Sequence, residues 1–128
     1  LKFLLDTHVL IWGALYPYHL SLAVQEEILD PLNEIFFSAV CIWEVSIKYA
    51  CGRKDFPVEP RALRRSLIDN GYTEIAITST HALAVGALPP IHRDPFDRIL
   101  IAQAISEGIT LLTADAVVAK YPGPIRQI

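Results

Sequence analysis

A chain of 128 residues is long enough for one domain with a substantial core. Its 52% hydrophobic and 20% charged residues exclude a disordered chain. Mean hydropathy is +0.36, yet no apolar run approaches the roughly 18 residues of a membrane-spanning helix. The formal net charge of −3 neither invites nor forbids nucleic acid, so the placement of charge decides more than its sum.

Lys2-Phe3-Leu4-Leu5 reads as a buried strand closed by Asp6-Thr7. Asp6 ends the apolar run too early for a signal peptide. Methionine is absent even at position 1, so the numbering is expected to omit an initiator. Residues 8–15 read as a helix that Pro17 interrupts. Ser21 opens a second helix to about Asp30, and Pro31 ends it. Glu34-Ile35-Phe36-Phe37 is a second strand. Ser38 caps a helix from Ala39 to about Ala50, which Gly52 stops. Cys41 and Cys51 fall on that helix about 15 Å apart, too far for a disulfide. With no secretion signal, a reducing cytoplasm is the expected compartment.

Residues 53–60 are polar, carry Pro57 and Pro60, and read as a loop. A basic helix, Arg61 to Asn70, ends at Gly71. Glu74-Ile75-Ala76-Ile77 is a third strand. Thr78 or Ser79 caps a helix that ends before Pro89-Pro90. Asp94-Pro95 starts a helix, with Asp as N-cap and Pro at the first helical position, that runs to Glu107 and stops at Gly108. It is apolar on more than one face and so buried on several sides. Ile109 to Thr113 is a fourth strand, Ala114-Asp115 begins a short helix, and Ile125 to Ile128 suits a terminal strand. Strands written as continuous apolar runs and separated by helices predict an α/β fold. Its parallel sheet, of four to five strands, lies sandwiched between helices. No repeat, low-complexity tract or linker divides residues 1–128.

Asp6 ends the first strand and Asp115 follows the fourth, while Asp97 lies in the first turn of the buried helix. In open α/β sheets these places share the edge where ligands bind. All three also suit helix starts, where Asp is common. Glu44 does not: it lies mid-helix, with Val40, Cys41, Ile47 and Lys48 at i±3 and i±4. An ion pair with Lys48, worth about 0.3–0.5 kcal/mol, is too weak to offset burial of its carboxylate. Four converging carboxylates persist only if protons are retained or a cation sits among them. An all-oxygen site of this kind suits Mg²⁺ or Mn²⁺. No Cys/His spacing suggests zinc.

Four segments in this order resemble the PIN-domain family, and specifically the VapC-like toxins of bacterial toxin–antitoxin pairs. They are Leu4-Leu5-Asp6-Thr7-His8, Ser38-Ala39 with Ile42-Trp43-Glu44, His92-Arg93-Asp94-Pro95-Phe96-Asp97-Arg98, and Leu111-Leu112-Thr113-Ala114-Asp115. The resemblance spans nearly the whole chain. It implies a metal-dependent ribonuclease whose acidic quartet is Asp6, Glu44, Asp97 and Asp115, with Thr7 and Thr113 as supporting hydroxyls. It also implies a homodimer silenced by a small cognate antitoxin. Cys41 departs from the hydroxyl residue common in relatives, which bears on the tuning of Glu44. Asp94 also matches the motif, although its neighbour Pro95 favours an N-cap.

The expected chemistry is phosphodiester hydrolysis with Mg²⁺ or Mn²⁺ held by the quartet, and it requires no histidine as base. His8, His81 and His92 are read as structural. RNA is repelled by acids, so its contacts are sought among cations. Arg53, Lys54, Arg61, Arg64 and Arg65 form either a phosphate-steering group or an ordinary solvated face, and Arg93 and Arg98 flank the site. Two rival readings stand: a PIN-fold RNA-binding module without turnover, and a phosphoryl-accepting receiver or phosphatase with Asp6 as the reactive group. The second wants a lysine from a later strand, and after residue 54 only Lys120 is present.

Overall fold

Apolar runs that never alternate need cover on both faces, and the chain supplies it. The computed structural model describes residues 1–128. Five strands, β1 (Lys2–Leu5), β2 (Glu34–Ser38), β3 (Thr73–Ile75), β4 (Thr110–Thr113) and β5 (Ile125–Gln127), form one sheet in the order β3-β2-β1-β4-β5. Every pairing is parallel, with Leu4 opposite Phe36 on one side and Leu111 on the other. Six helices flank it: α1 (Thr7–Leu15), α2 (Leu22–Leu29), α3 (Ala39–Ala50), α4 (Pro60–Asp69), α5 (Ser79–Val85) and α6 (Pro95–Glu107). Leu4, Leu5, Phe37, Leu111 and Leu112 from the sheet join Leu10, Val45, Leu100 and Ile101 from the helices in one buried core.

Helix starts follow the expected chemistry. Asp6, Ser21, Ser38, Glu59, Thr78 and Asp94 each accept a backbone N–H in the first turn of the helix they precede. Each satisfies a donor the helix leaves orphaned. The Thr78 cap is reciprocal, because the His81 ring accepts from the Thr78 N–H. Gly108 ends α6 at φ +66°, a conformation that favours glycine. Both cysteines are free, Cys41 buried and Cys51 exposed. No helix is long and apolar enough to cross a membrane.

Three local expectations need correction. Residues 53–59 are not merely a polar loop, because Phe56 turns inward and is 1% exposed. Asp115 does not begin a helix: its side chain accepts from Val117 N–H at 2.8 Å, and the helical piece is a single 3-10 turn at Val118–Lys120. The third strand is Thr73–Ile75, so Ala76 and Ile77 lie beyond it, while α5 ends at Val85, before Pro89-Pro90 as expected, and a turn-rich segment leads on to α6.

The strand order places the site. β1, β2 and β3 step one way across the sheet, and the chain then jumps back over them to lay β4 and β5 on the far side of β1. Right-handed crossovers demand that this reversal send connections to the opposite face. A crevice therefore opens between the carboxyl ends of β1 and β4. Asp6 and Asp115 are the residues that leave those two ends.

Candidate active site

β1 ends in Asp6, which is 8% exposed. Its Oδ1 accepts the Val9 N–H at 2.9 Å and its Oδ2 accepts the Thr113 hydroxyl at 2.6 Å. Thr113 Oγ1 in turn accepts the Asp115 N–H at 3.0 Å, so one hydroxyl links the two strand ends. Burial pushes the Asp6 carboxyl above the ordinary range, against the pull of its Thr113 and Val9 donors.

α3 carries Glu44 into the same crevice, 4% exposed. Thr7 donates to its Oε1 at 2.6 Å, and Lys48, one turn on, donates to its Oε2. The ion pair and the inward-facing carboxylate, weighed above as alternatives, are both present. The buried Cys41 thiol lies 4.0 Å from Leu5 O, and burial pushes it up to about 12, so it stays neutral.

α6 delivers Asp97 from its first turn. Asp94 caps that turn, taking Phe96 N–H at 2.8 Å and Asp97 N–H at 3.3 Å, as its neighbour Pro95 implies. The Asp97 carboxyl is pushed up to about 7, first by burial and then by the negative charges of Asp94, Glu44, Asp6 and Asp115. All four members of the expected quartet thus reach one cavity of about 150 Å³ that has no apolar lining residue.

Two residues that the sequence reading left outside the site share this cavity: His92, read there as structural, and Lys48, read as the ion-pair partner of Glu44. His92 Nδ1 accepts the N–H of Arg93 at 3.0 Å, which leaves Nε2 as the protonated nitrogen of the neutral ring. That Nε2 lies 3.1 Å from Asp97 Oδ2 and 3.7 Å from Asp115 Oδ2. The only signal for it was its place at the head of the His92–Arg98 run. His8 lies at the rim and meets Asp55 at 3.4 Å. His81 lies elsewhere, buried, where it pairs with Glu107 at 2.8 Å.

The basic residues divide differently from expectation. Arg98 is spent inside the fold: it donates to Pro89 O, Val85 O, His92 O and the Tyr121 hydroxyl. Its guanidinium braces the segment that carries His92 and is not free for RNA. Carbonyls exposed where α5 stops early need donors, and the fork of an arginine supplies several at once. Arg53 is exposed but held by both oxygens of Asp55, and Arg64 by Glu74. Lys54, Arg61 and Arg65 are exposed, and Arg93 borders an apolar groove beside Trp43 and Pro95.

A divalent cation fits this donor set. Five carboxylates line the cavity, and ligand atoms of His92, Asp94 and Asp97 come within 4.8 Å of one another. A hard ion that accepts oxygen with one imidazole suits such a group. Asp6, Glu44 and Asp115 stand around it as charge.

A family model described as PIN domain matches residues 3–124. The chain is 29% identical over 125 residues to Ribonuclease VapC22 of Mycobacterium tuberculosis, covering 95% of each. It is similar in fold to a VapBC2 complex of Rickettsia felis bound to a promoter DNA fragment, with TM-score 0.74 and 16% identity over 99% of this chain and 98% of that one. It is likewise similar to VapBC-1 of nontypeable Haemophilus influenzae, with TM-score 0.66 and 17% identity over 99% and 98%.

Proposed function

The chain belongs to the PIN-domain family, and on that premise we propose that it is a Mg²⁺- or Mn²⁺-dependent endoribonuclease, the toxin of a toxin–antitoxin pair. The observation that carries the reading is the convergence of Asp6, Glu44, Asp97 and Asp115 from four separate elements on one cavity without apolar lining. A divalent ion bound there supplies Lewis-acid charge that activates water and neutralises the scissile phosphate.

The chain's own residues do the rest. Asp97, Asp94 and His92 offer the convergent ligand atoms. Thr113 and Val9 orient Asp6, and Thr7 and Lys48 orient Glu44. His92 Nε2 lies 3.1 Å from Asp97 and 3.7 Å from Asp115, where it would ligate the ion on giving up its proton. The phosphoryl-acceptor reading loses ground, because Lys120 sits in the turn before β5, outside the cavity. The purified chain is expected to cut a mixed-sequence single-stranded RNA pool with Mg²⁺ or Mn²⁺ and not with EDTA. Binding of the pool without cleavage would instead establish the module without turnover.

Two partners complete the proposal. One is a second copy of this chain, checked by sedimentation velocity. The other is a small antitoxin that presents an arginine to Asp6, Asp97 or Glu44, since a guanidinium forks onto carboxylates and never loses its charge. Such an arginine competes with the metal for the same oxygens. Inhibition should therefore weaken along a Mg²⁺ series at constant ionic strength. Inhibition indifferent to Mg²⁺ would place the antitoxin's block elsewhere.

A further inference from the structure

Lys48 is held in the cavity as few lysines are. Its side chain is only 19% exposed, and its ammonium lies 4.8 Å from the ring centre of Phe56 and 5.6 Å from that of Phe96. Phe56 is itself buried, brought in by the loop that leads to α4. Both aromatic faces attract the cation. Glu44 Oε2 takes one of its three N–H groups, which leaves two donors.

The other side chains of the cavity show why a fixed charge belongs there. Ligand atoms converge at one place only, at His92, Asp94 and Asp97. Elsewhere in the cavity the oxygens already accept hydrogen bonds: those of Glu44 from Thr7 and Lys48, those of Asp6 from Val9 and Thr113. Nucleases that use two ions hold the ions about 3.5–4 Å apart, so the second also needs ligands of its own. Here the second positive charge is already built in.

Building on the nuclease reading, we propose that Lys48 is a catalytic residue whose ammonium takes the place of a second divalent ion. The site then works with one metal ion at the Asp97 side. The two remaining N–H groups of Lys48 contact a non-bridging oxygen of the scissile phosphate from the Glu44 side.

The test counts ions first. Mn²⁺ alone is titrated into the purified chain and free Mn²⁺ is followed by electron paramagnetic resonance. The wild type should bind one ion per chain and Lys48→Met two, while Lys48→Arg, which keeps the charge, should stay at one. Cleavage of the mixed RNA pool by Lys48→Met should fall about 10²-fold in kcat. If Lys48→Met does not fold, Lys48→Gln takes its place, and the wild-type count remains decisive. Two ions in the wild type, or one in the uncharged variant, overturn the proposal. Two ions in a wild type that cuts RNA remove only the role of Lys48. A wild type that neither binds Mn²⁺ nor cuts RNA removes the nuclease reading with it.

Discussion

Glu44→Gln should lower kcat on the RNA pool by about 10²–10³-fold while leaving the far-UV circular dichroism spectrum native. That loss is the usual cost of removing one well-placed charge or donor from such a site. The side chain is nearly isosteric, and Thr7 can still donate to its remaining oxygen. What disappears is the charge that faces Lys48 and the metal. Leaving the Lys48 ammonium without its partner is costly in a half-buried setting. Relief of repulsion works the other way, because the Glu44 charge is one of those that push up Asp97. The fold is therefore expected to survive. If Glu44→Gln cuts RNA as fast as the wild type, Glu44 serves only to pair Lys48, and the acidic set shrinks to three.

The second large effect is on stability. Asp97→Asn should melt above the metal-free wild type at pH 8 and gain less from added metal. The folded carboxyl titrates near 7 instead of 3.8. Its stabilising contribution is therefore complete below pH 3.8 and is lost as pH rises through 7. For an isolated group the shift is worth about 4 kcal/mol. The side chain is 21% exposed and lies 3.1 Å from His92 Nε2, and both reduce the effect. About 2 kcal/mol, or roughly 5–10 °C in Tm, is the expected advantage of the variant at pH 8. At pH 4 the advantage should vanish. Added Mg²⁺ at 100 times its Kd should return about 2.7 kcal/mol to the wild type. Equal melting temperatures across pH 4–8, or equal gains from metal, would show that Asp97 carries no strained charge.

The sequence by itself determined the elements and the edge on which the site lies. Apolar runs without alternation require a sheet covered on both faces, and capping residues act within three or four positions of themselves, so Ser38, Asp94 and Gly108 mark their helices without help from the rest of the chain. Asp6 and Asp115 follow strands, and the one local reason for Glu44, an i,i+4 pair with Lys48, is too weak to offset its burial, so the carboxylates could be read as a set. The tertiary structure decided which partner each charge meets. Thr113 and Asp6 lie 107 positions apart, and no periodicity connects them. Arg98 looked free beside the site, yet the early stop of α5 exposed carbonyls that claimed it. Phe56 sits in a segment as polar as any loop, but the cavity wall left room for one ring, and burial of that ring holds Lys48 in place. Helix starts and strand runs depend on neighbours along the chain. The pairing of a cation with an oxygen depends on which loops the finished core brings together, because burial makes every unpaired charge costly.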